Sequence, residues 1–355
     1  MKFIGYWASQ EQYSMQDLSK FVLEAEKGGF TSTMTSDHFH PWHHDGGFGN
    51  FTWIWLAVAA ERTKNMKFVT GVTAPIFRYN PAIVAQAFAS LDVLYPRRIS
   101  LGVGTGEAMN EVSVGFDWPS PKIRLERTIE ALQIIRKLWN KDQNGQQKNS
   151  NESQSNSSST SGNDFITFKG QYFKTKEAKL YTPPSSFENI PLYMAASGSE
   201  SIQTAAVYTD GLITISKPDQ AKKVLDKFDK AALKAGKDPQ ELEKIGKPRV
   251  SYSEDYDKAF KSSEFWRTTE IENVFNTEIN NPIKLQHKAD EEVSDEKLRK
   301  STLIVTSIED LIKPLEEYFD VGYTQIYLQS TSPDEVEFIQ QVCKKVLPYF
   351  RDSSK

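Results

Sequence analysis

The stretch LGVGTGEAMNE, Leu101 to Glu111, decides between two α/β architectures. An apolar strand runs into a glycine-rich turn and then a helical segment, the setting in which a dinucleotide-binding half carries GxGxxG. Gly102 and Gly104 take the first two glycine positions, but Glu107 occupies the third. The dinucleotide reading fails on that residue. What remains is a strand ending in Gly104-Thr105-Gly106, where backbone can approach a flat ligand, followed by the carboxyl group of Glu107. Taken alone, Glu107 has a plain alternative as a solvated glutamate.

Working outward, similar β-rich runs alternate with amphipathic helices along all 355 residues. Strands are expected over 2–7 (KFIGYW), 32–37 (STMTSD), 67–72 (KFVTGV), 98–103 (RISLGV), 191–196 (PLYMAA), 211–216 (GLITIS), 248–253 (PRVSYS) and 324–329 (TQIYLQ). Alternation of this kind makes a parallel sheet with crossover helices, and this count predicts one (β/α)8 TIM barrel over 1–355. The helices carry their own start signals. Ser14 precedes a stripe of Leu18, Phe21, Val22 and Ala25 that stops at Gly28-Gly29, and Ser120-Pro121 precedes Leu125, Ile129, Leu132 and Leu138.

Two segments break the rhythm. Residues 141–164, KDQNGQQKNSNESQSNSSSTSGND, have almost no apolar side chains to offset the entropy of ordering, so a disordered surface insertion is expected there. Residues 264–300, charged and helical in pattern, follow the seventh expected strand. An insertion after a strand falls on the C-terminal face of a barrel, which makes this one a candidate substrate lid.

Charge and composition narrow the partners. With 43 basic against 47 acidic side chains and a net charge of −4, the chain has no general attraction for nucleic acid or an anionic membrane, and no local basic stripe supplies one. A small-molecule substrate is expected. The N-terminus lacks the apolar core of a signal peptide, no run approaches 18 apolar residues, and the single Cys343 fits a reducing compartment, so a cytoplasmic location is expected.

TSDHFHPWHH, Thr35 to His44, holds four of the chain's five histidines. Adjacent residues at a strand end start toward opposite sides, so Asp37 and His38 do not readily share an ion. His40, His43 and His44 lack thiolate or carboxylate partners at ligand spacing, and no metal is expected. A solvated loop and a catalytic histidine remain. The C-terminal end of a barrel strand favours the second, with His38 as base and Trp42 as a wall of the site. GVTAPIFRYNP, Gly71 to Pro81, places small residues after the third strand, and Asn80-Pro81 starts the next helix.

SDHFHPW (36–42), FRYNPA with VAQAFAS (77–90) and LYPRRISLGVGTGEAMNE (94–111) together resemble the coenzyme F420-dependent glucose-6-phosphate dehydrogenase group of the bacterial-luciferase-like superfamily. The similarity is dense over 1–140 and thinner to the C-terminus. The resemblance implies a barrel that holds the deazaflavin of coenzyme F420 at its C-terminal mouth, and a homodimer. It places the active-site histidine on His38, the tryptophan on Trp42, the acidic partner on Glu107 and a further glutamate on Glu11. It places cofactor contacts on Asp37, on a non-proline cis peptide at Gly71-Val72 with Ala74 nearby, on Thr105, Gly106 and Asn110, and on the small-residue turn Ala195-Ala196-Ser197-Gly198.

The implied reaction is hydride transfer from a hydroxyl-bearing carbon to the deazaflavin, with glucose-6-phosphate or a related sugar phosphate as the first expectation for substrate. In the substrate half the pattern departs from the group, because Ile215, Asn276 and Thr302 stand where threonine and basic side chains are expected. Lys217 is the candidate substitute, with Lys284, Lys297, Arg299 and Lys300 in reserve. A secondary alcohol or an unphosphorylated sugar is therefore the alternative. An FMN-dependent monooxygenase and a non-catalytic cofactor-binding protein are the remaining rivals.

Overall fold

The computed structural model describes residues 2–139, 165–185 and 190–352. Its strands, in chain order, are β1 (Phe3–Ala8), β2 (Ser32–Thr35), β3 (Lys67–Thr70), β4 (Ile99–Val103), β5 (Ile166–Lys169), β6 (Lys174–Ala178), β7 (Leu192–Ala195), β8 (Gly211–Thr214), β9 (Glu243–Gly246), β10 (Arg249–Tyr252), β11 (Leu303–Val305) and β12 (Gln325–Ser330). The order β1-β2-β3-β4-β7-β8-β9-β12 closes when β12 pairs with β1, Phe3 opposite Gln325 and Tyr6 opposite Leu328. All these pairs are parallel, which gives the expected eight-stranded barrel.

The barrel closes because successive strands turn alternate side chains inward. Trp7, Met34, Val69, Tyr193, Ile213, Ile245 and Tyr327, from different strands, pack together as one inner cluster. A larger shell joins the outer faces of the strands to the helices. Helix starts follow their sequence signals: the Asp17 N–H donates to Ser14 Oγ (3.1 Å), and the Ala82 N–H donates to Asn80 Oδ1 (2.9 Å). Gly29, at φ 110°, ends the first helix in a conformation that favours glycine.

The seventh barrel strand lies elsewhere than the sequence suggests. The expected run 248–253 matches β10, but the barrel position belongs to β9, hidden in the charged stretch ELEKIG. β9 and β10 share one register against β12: Ile245 and Gly246 face Gln325 and Ile326, then Arg249 and Val250 face Gln329 and Ser330. The two are one strand interrupted at Lys247-Pro248. Proline has no N–H for the ladder, although its carbonyl still accepts from the Gln329 N–H at 3.0 Å.

Other differences are smaller. The antiparallel β5–β6 pair was not expected, since Lys174, Lys176 and Glu177 obscure any alternation. Strand β2 ends at Thr35, so Asp37 and His38 stand in the loop beyond it rather than within the strand. The insertion expected over 141–164 lies outside the described residues. The segment expected over 264–300 forms short helices, and its Trp266, Ile271, Val274, Leu285, Ala289 and Val293 pack with Trp42 and Met109.

Candidate active site

At the barrel mouth is a cavity of about 700 Å3, lined by every residue singled out in the sequence as catalytic or cofactor-binding and by Lys217, but not by Lys284, Lys297, Arg299 or Lys300. They arrive from separate elements: Glu11 follows β1, Asp37, His38 and Trp42 follow β2, Gly71, Val72 and Ala74 follow β3, Thr105 to Asn110 follow β4, and Ser197 and Gly198 follow β7. The loops after consecutive parallel strands meet at one end of the barrel, which is how residues so far apart in sequence converge.

His38 stands at the centre of the polar set. Its Nε2 lies 3.3 Å from Glu11 Oε1 and 3.4 Å from Glu107 Oε2. Asn110 Nδ2 donates to Glu107 Oε2 (2.9 Å) and stands 3.4 Å from His38 Nδ1, while Asn110 Oδ1 accepts the Phe39 N–H (2.8 Å). Ser36 donates its hydroxyl to Glu11 Oε2. The His38 and Trp42 rings are 5.7 Å apart, and Phe275 meets Trp42 edge-on at 5.6 Å. A ring nitrogen between two carboxylates, beside an aromatic wall, can take or give a proton at a bound oxygen.

Asp37 turns the other way, as adjacency to His38 requires. It accepts from Thr73 Oγ1 (2.6 Å), Arg78 Nη2 (3.1 Å) and Tyr79 OH (3.3 Å). The Arg78 N–H donates to Glu111 Oε2 (2.9 Å). Burial pushes the Glu111 carboxyl up to about 7 against the opposing pull of Arg78. Arg78, Tyr79 and Glu111 were not singled out from the sequence. Their signal was the FRYNP run and the last residue of GTGEAMNE, both visible only as parts of longer motifs.

The other histidines stay outside the cavity lining. His40 Nδ1 is engaged with Ser113 Oγ (3.0 Å) and the Asn280 carbonyl (3.1 Å), and His44 is exposed. No group of side chains among the described residues could hold a metal ion. The peptide Gly71-Val72 is cis, as the resemblance implied.

The substrate half is less regular. Ile215 is exposed at the mouth, Asn276 accepts from Arg124 Nη2 (2.8 Å), and Thr302 is buried. Exposed Lys217 gives its ammonium to the Lys300 carbonyl. Deeper, Lys247 and Arg249 flank the interruption of the seventh strand and both line the cavity. The Lys247 ammonium lies over the Trp7 ring, 4.4 Å from its centroid, and 5.8 Å from that of Trp266. Arg249 donates to Glu270 Oε1 (2.9 Å) and Thr269 Oγ1 (2.6 Å). Sequence reading passed over this pair because it sits where two half-strands join.

Comparison with known proteins places the chain. The profile of the luciferase-like monooxygenase family matches residues 2–325, and the chain belongs to that family. Among its relatives are F420-dependent glucose-6-phosphate dehydrogenases: that of Microbacterium testaceum is 32% identical over 350 residues, covering 98% of this chain and 97% of the relative, and that of Mycolicibacterium gilvum is 31% identical over 353 residues, covering 98% of each. An F420-dependent secondary alcohol dehydrogenase, solved with an F420–acetone adduct, superimposes with a TM-score of 0.88 at 36% identity over 98% of both chains. The F420-dependent tetrahydromethanopterin reductase of Methanopyrus kandleri shares the fold at a TM-score of 0.71 and 20% identity, over 98% of this chain and 99% of that one.

Proposed function

We propose that this chain is an F420-dependent dehydrogenase that oxidises a hydroxyl-bearing carbon. The observation that carries the reading is His38 Nε2 held between Glu11 and Glu107 on the wall of a cavity of ligand size, beside Trp42. Relatives and a structural neighbour named for this chemistry support it. The residues present suit the cofactor. Val72, Ala74, Thr105 and Gly106 offer backbone and small side chains to a flat ring. The helix Ser199–Tyr208 begins at Gly198 without a side-chain cap, so its first N–H groups suit an acidic tail.

When bound, the deazaflavin supplies a hydride acceptor. The chain's own residues handle the proton and the orientation. His38 accepts the hydroxyl proton as the carbon–oxygen double bond forms, and the flanking carboxylates stabilise the imidazolium that results. Trp42 would hold the carbinol carbon in place, and Glu107, tied to Asn110, would stand near the edge of a deazaflavin bound in the cavity. The packing of the segment 264–300 on Trp42 supports its reading as a substrate lid.

For the substrate, the named relatives favour a sugar phosphate and the named structural neighbour a secondary alcohol. The uncharged Ile215, Asn276 and Thr302, and a Lys217 bound to a backbone carbonyl, favour a substrate without a phosphate at that end. A panel of alcohols and sugar phosphates, followed by loss of deazaflavin absorbance, tests the reading. Reduction of F420 by no hydroxyl compound would defeat it.

The reading extends to assembly and place. Phe51, Ile54, Val58, Ile83 and Leu94 are exposed along and beside the helices Thr52–Arg62 and Pro81–Leu94, an apolar face suited to a second copy of the chain. Light scattering on the purified protein checks the homodimer. No helix among the described residues is long and apolar enough to cross a membrane, which suits the cytoplasmic location.

A further inference from the structure

One corner of the cavity contains donors that the protein itself leaves unused. Among the described residues the Lys247 ammonium has no hydrogen-bond acceptor and no carboxylate within 4.0 Å; its near neighbours are the faces of Trp7 and Trp266. The Arg249 Nε–H is buried without a partner, although the rest of that guanidinium is held by Glu270 and Thr269. Gln329, fully buried and directly opposite Arg249 in the sheet, has neither its amide nitrogen nor its oxygen paired. The buried Trp7 indole N–H is unpaired as well. All four side chains line the cavity. Buried polar atoms are paired in nearly all folded proteins, so a cluster of orphaned donors at a cavity wall marks the place of a ligand's acceptor.

We propose that this corner is an anion subsite, and that the alcohol oxidised here is a hydroxy acid whose carboxylate sits on Lys247, Arg249 and Gln329. This rests on the dehydrogenase reading above and names its substrate class. The charge balance favours a monoanion over a dianion. Glu270 pairs with Arg249, Lys247 has no carboxylate within 4.0 Å, and the carboxylates of Glu11, Glu107 and Glu270 around these two cations oppose a second negative charge on the ligand. A phosphate dianion fits this balance poorly.

Position selects a short molecule. The Lys247 ammonium lies 5.8 Å from the Trp266 ring, Trp266 packs in one cluster with Trp42 and donates to Gln12 beside Glu11, and the Trp42 ring is 5.7 Å from that of His38, so the anion lies on the side of the reacting carbon and not at the far end of a sugar. A 2- or 3-hydroxy acid meets both requirements. In the reaction the carbinol C–H leaves with its bonding pair for oxidised F420, and His38 receives the hydroxyl proton. The alcohol becomes an oxo acid, its carboxylate unchanged; the proton His38 received passes on through Glu107, 3.4 Å from Nε2, so that F420 gains the hydride and that one proton and His38 returns to its neutral form.

The experiment compares 2-hydroxybutyrate with 2-butanol, which replaces the carboxylate by a methyl group, and with glucose-6-phosphate. A charge-assisted contact makes roughly a 10- to 100-fold difference, so kcat/KM for the acid should exceed that for 2-butanol by about this factor. Lys247→Met should remove most of the difference, and Lys247→Arg should keep part of it. Calorimetric titration with 2-hydroxybutyrate, with and without F420, reads the subsite without turnover, and binding should be lost in Lys247→Met and retained in Lys247→Arg. Titration that succeeds while no alcohol reduces F420 would support the subsite and overturn the dehydrogenase reading. Equal binding in wild type and Lys247→Met, or a preference for 2-butanol or glucose-6-phosphate that Lys247→Met leaves intact, would overturn the proposal.

Discussion

The two sides of the cavity are built to different rules. On the side of β1 to β4, His38, Glu11, Asp37, Glu107 and Asn110 each already have protein partners, and the unpaired atoms there, Trp7 Nε1, Arg78 Nε and Glu111 Oε1, lie on other side chains. Across the cavity, where β9 and β10 meet β12, Lys247, Arg249 and Gln329 leave polar atoms unmatched. Groups that serve one fixed chemistry gain from being locked before the substrate arrives, because no reorganisation is then needed during reaction. Groups that recognise one particular substrate are completed by that substrate, and an analogue lacking the matching group leaves them unpaired.

The sharpest way to break this contrast is at His38. If the completed side performs the chemistry, His38→Ala should lower kcat by roughly 10²- to 10⁴-fold, the range for a lost general base, with little change in F420 affinity read by fluorescence titration. An equal fall in both would make His38 a cofactor ligand. Glu107→Gln is expected to follow with a smaller loss, about 10- to 100-fold in kcat, because an amide cannot take up a proton from His38 and pass it on as a carboxylate does, although it keeps a hydrogen bond to Asn110. Unchanged single-turnover rates in that variant would remove Glu107 from the chemical step.

The opposite wall permits a gain. Glu270 binds Arg249 through Nη1 at 2.9 Å and neutralises it. Glu270→Gln should therefore raise affinity for 2-hydroxybutyrate by about 3- to 10-fold, in the range of one added charge interaction, while affinity for 2-butanol stays level. The same wall has its own pH response. Burial, and then the Arg249 charge, push the Lys247 ammonium down to about 8. The cation is present below that pH and lost above it, so acid binding should weaken as pH rises through about 8. Lys247→Arg, which stays protonated, should carry binding to higher pH in the same titration.

The contrast also explains what the sequence disclosed. Glu11, His38, Trp42 and Glu107 follow barrel strands with clear β-rich patterns, and SDHFHPW and GTGEAMNE keep their residues contiguous, so position and resemblance both reached them. Lys247 and Arg249 flank the break in a strand whose first half, EKIG, begins with two charged residues and shows no alternation, so that only the second half has a β-rich pattern in the sequence. Gln329 was counted as the last residue of an ordinary strand, since nothing local tells a buried, unpaired amide from a paired one. Arg78 and Glu111 were missed for another reason: their importance is mutual, and a pair 33 positions apart has no signature until the fold joins it.

The smallest effect tests whether the completed side stores a proton. Glu111 is fully buried, and burial lifts its carboxyl to about 7 from an ordinary 4.5, with Arg78 pulling the other way. Between those values the folded chain keeps a proton that the unfolded chain has lost, so stability falls as pH rises through this window, by at most about 1.4 kcal/mol per pH unit for one group. Glu335, buried among Tyr6 and Tyr13 and also lifted to about 7, adds a slope of the same sign. Urea unfolding of the wild type at intervals from pH 5 to 7.5 should show decreasing stability. Glu111→Gln should remove one share of the slope, and Glu111→Gln with Glu335→Gln most of it. If the slope is the same in wild type and Glu111→Gln, Arg78 holds Glu111 ionised throughout, and the completed side is then a set of fixed charges in which Arg78 bridges the Asp37 and Glu111 carboxylates.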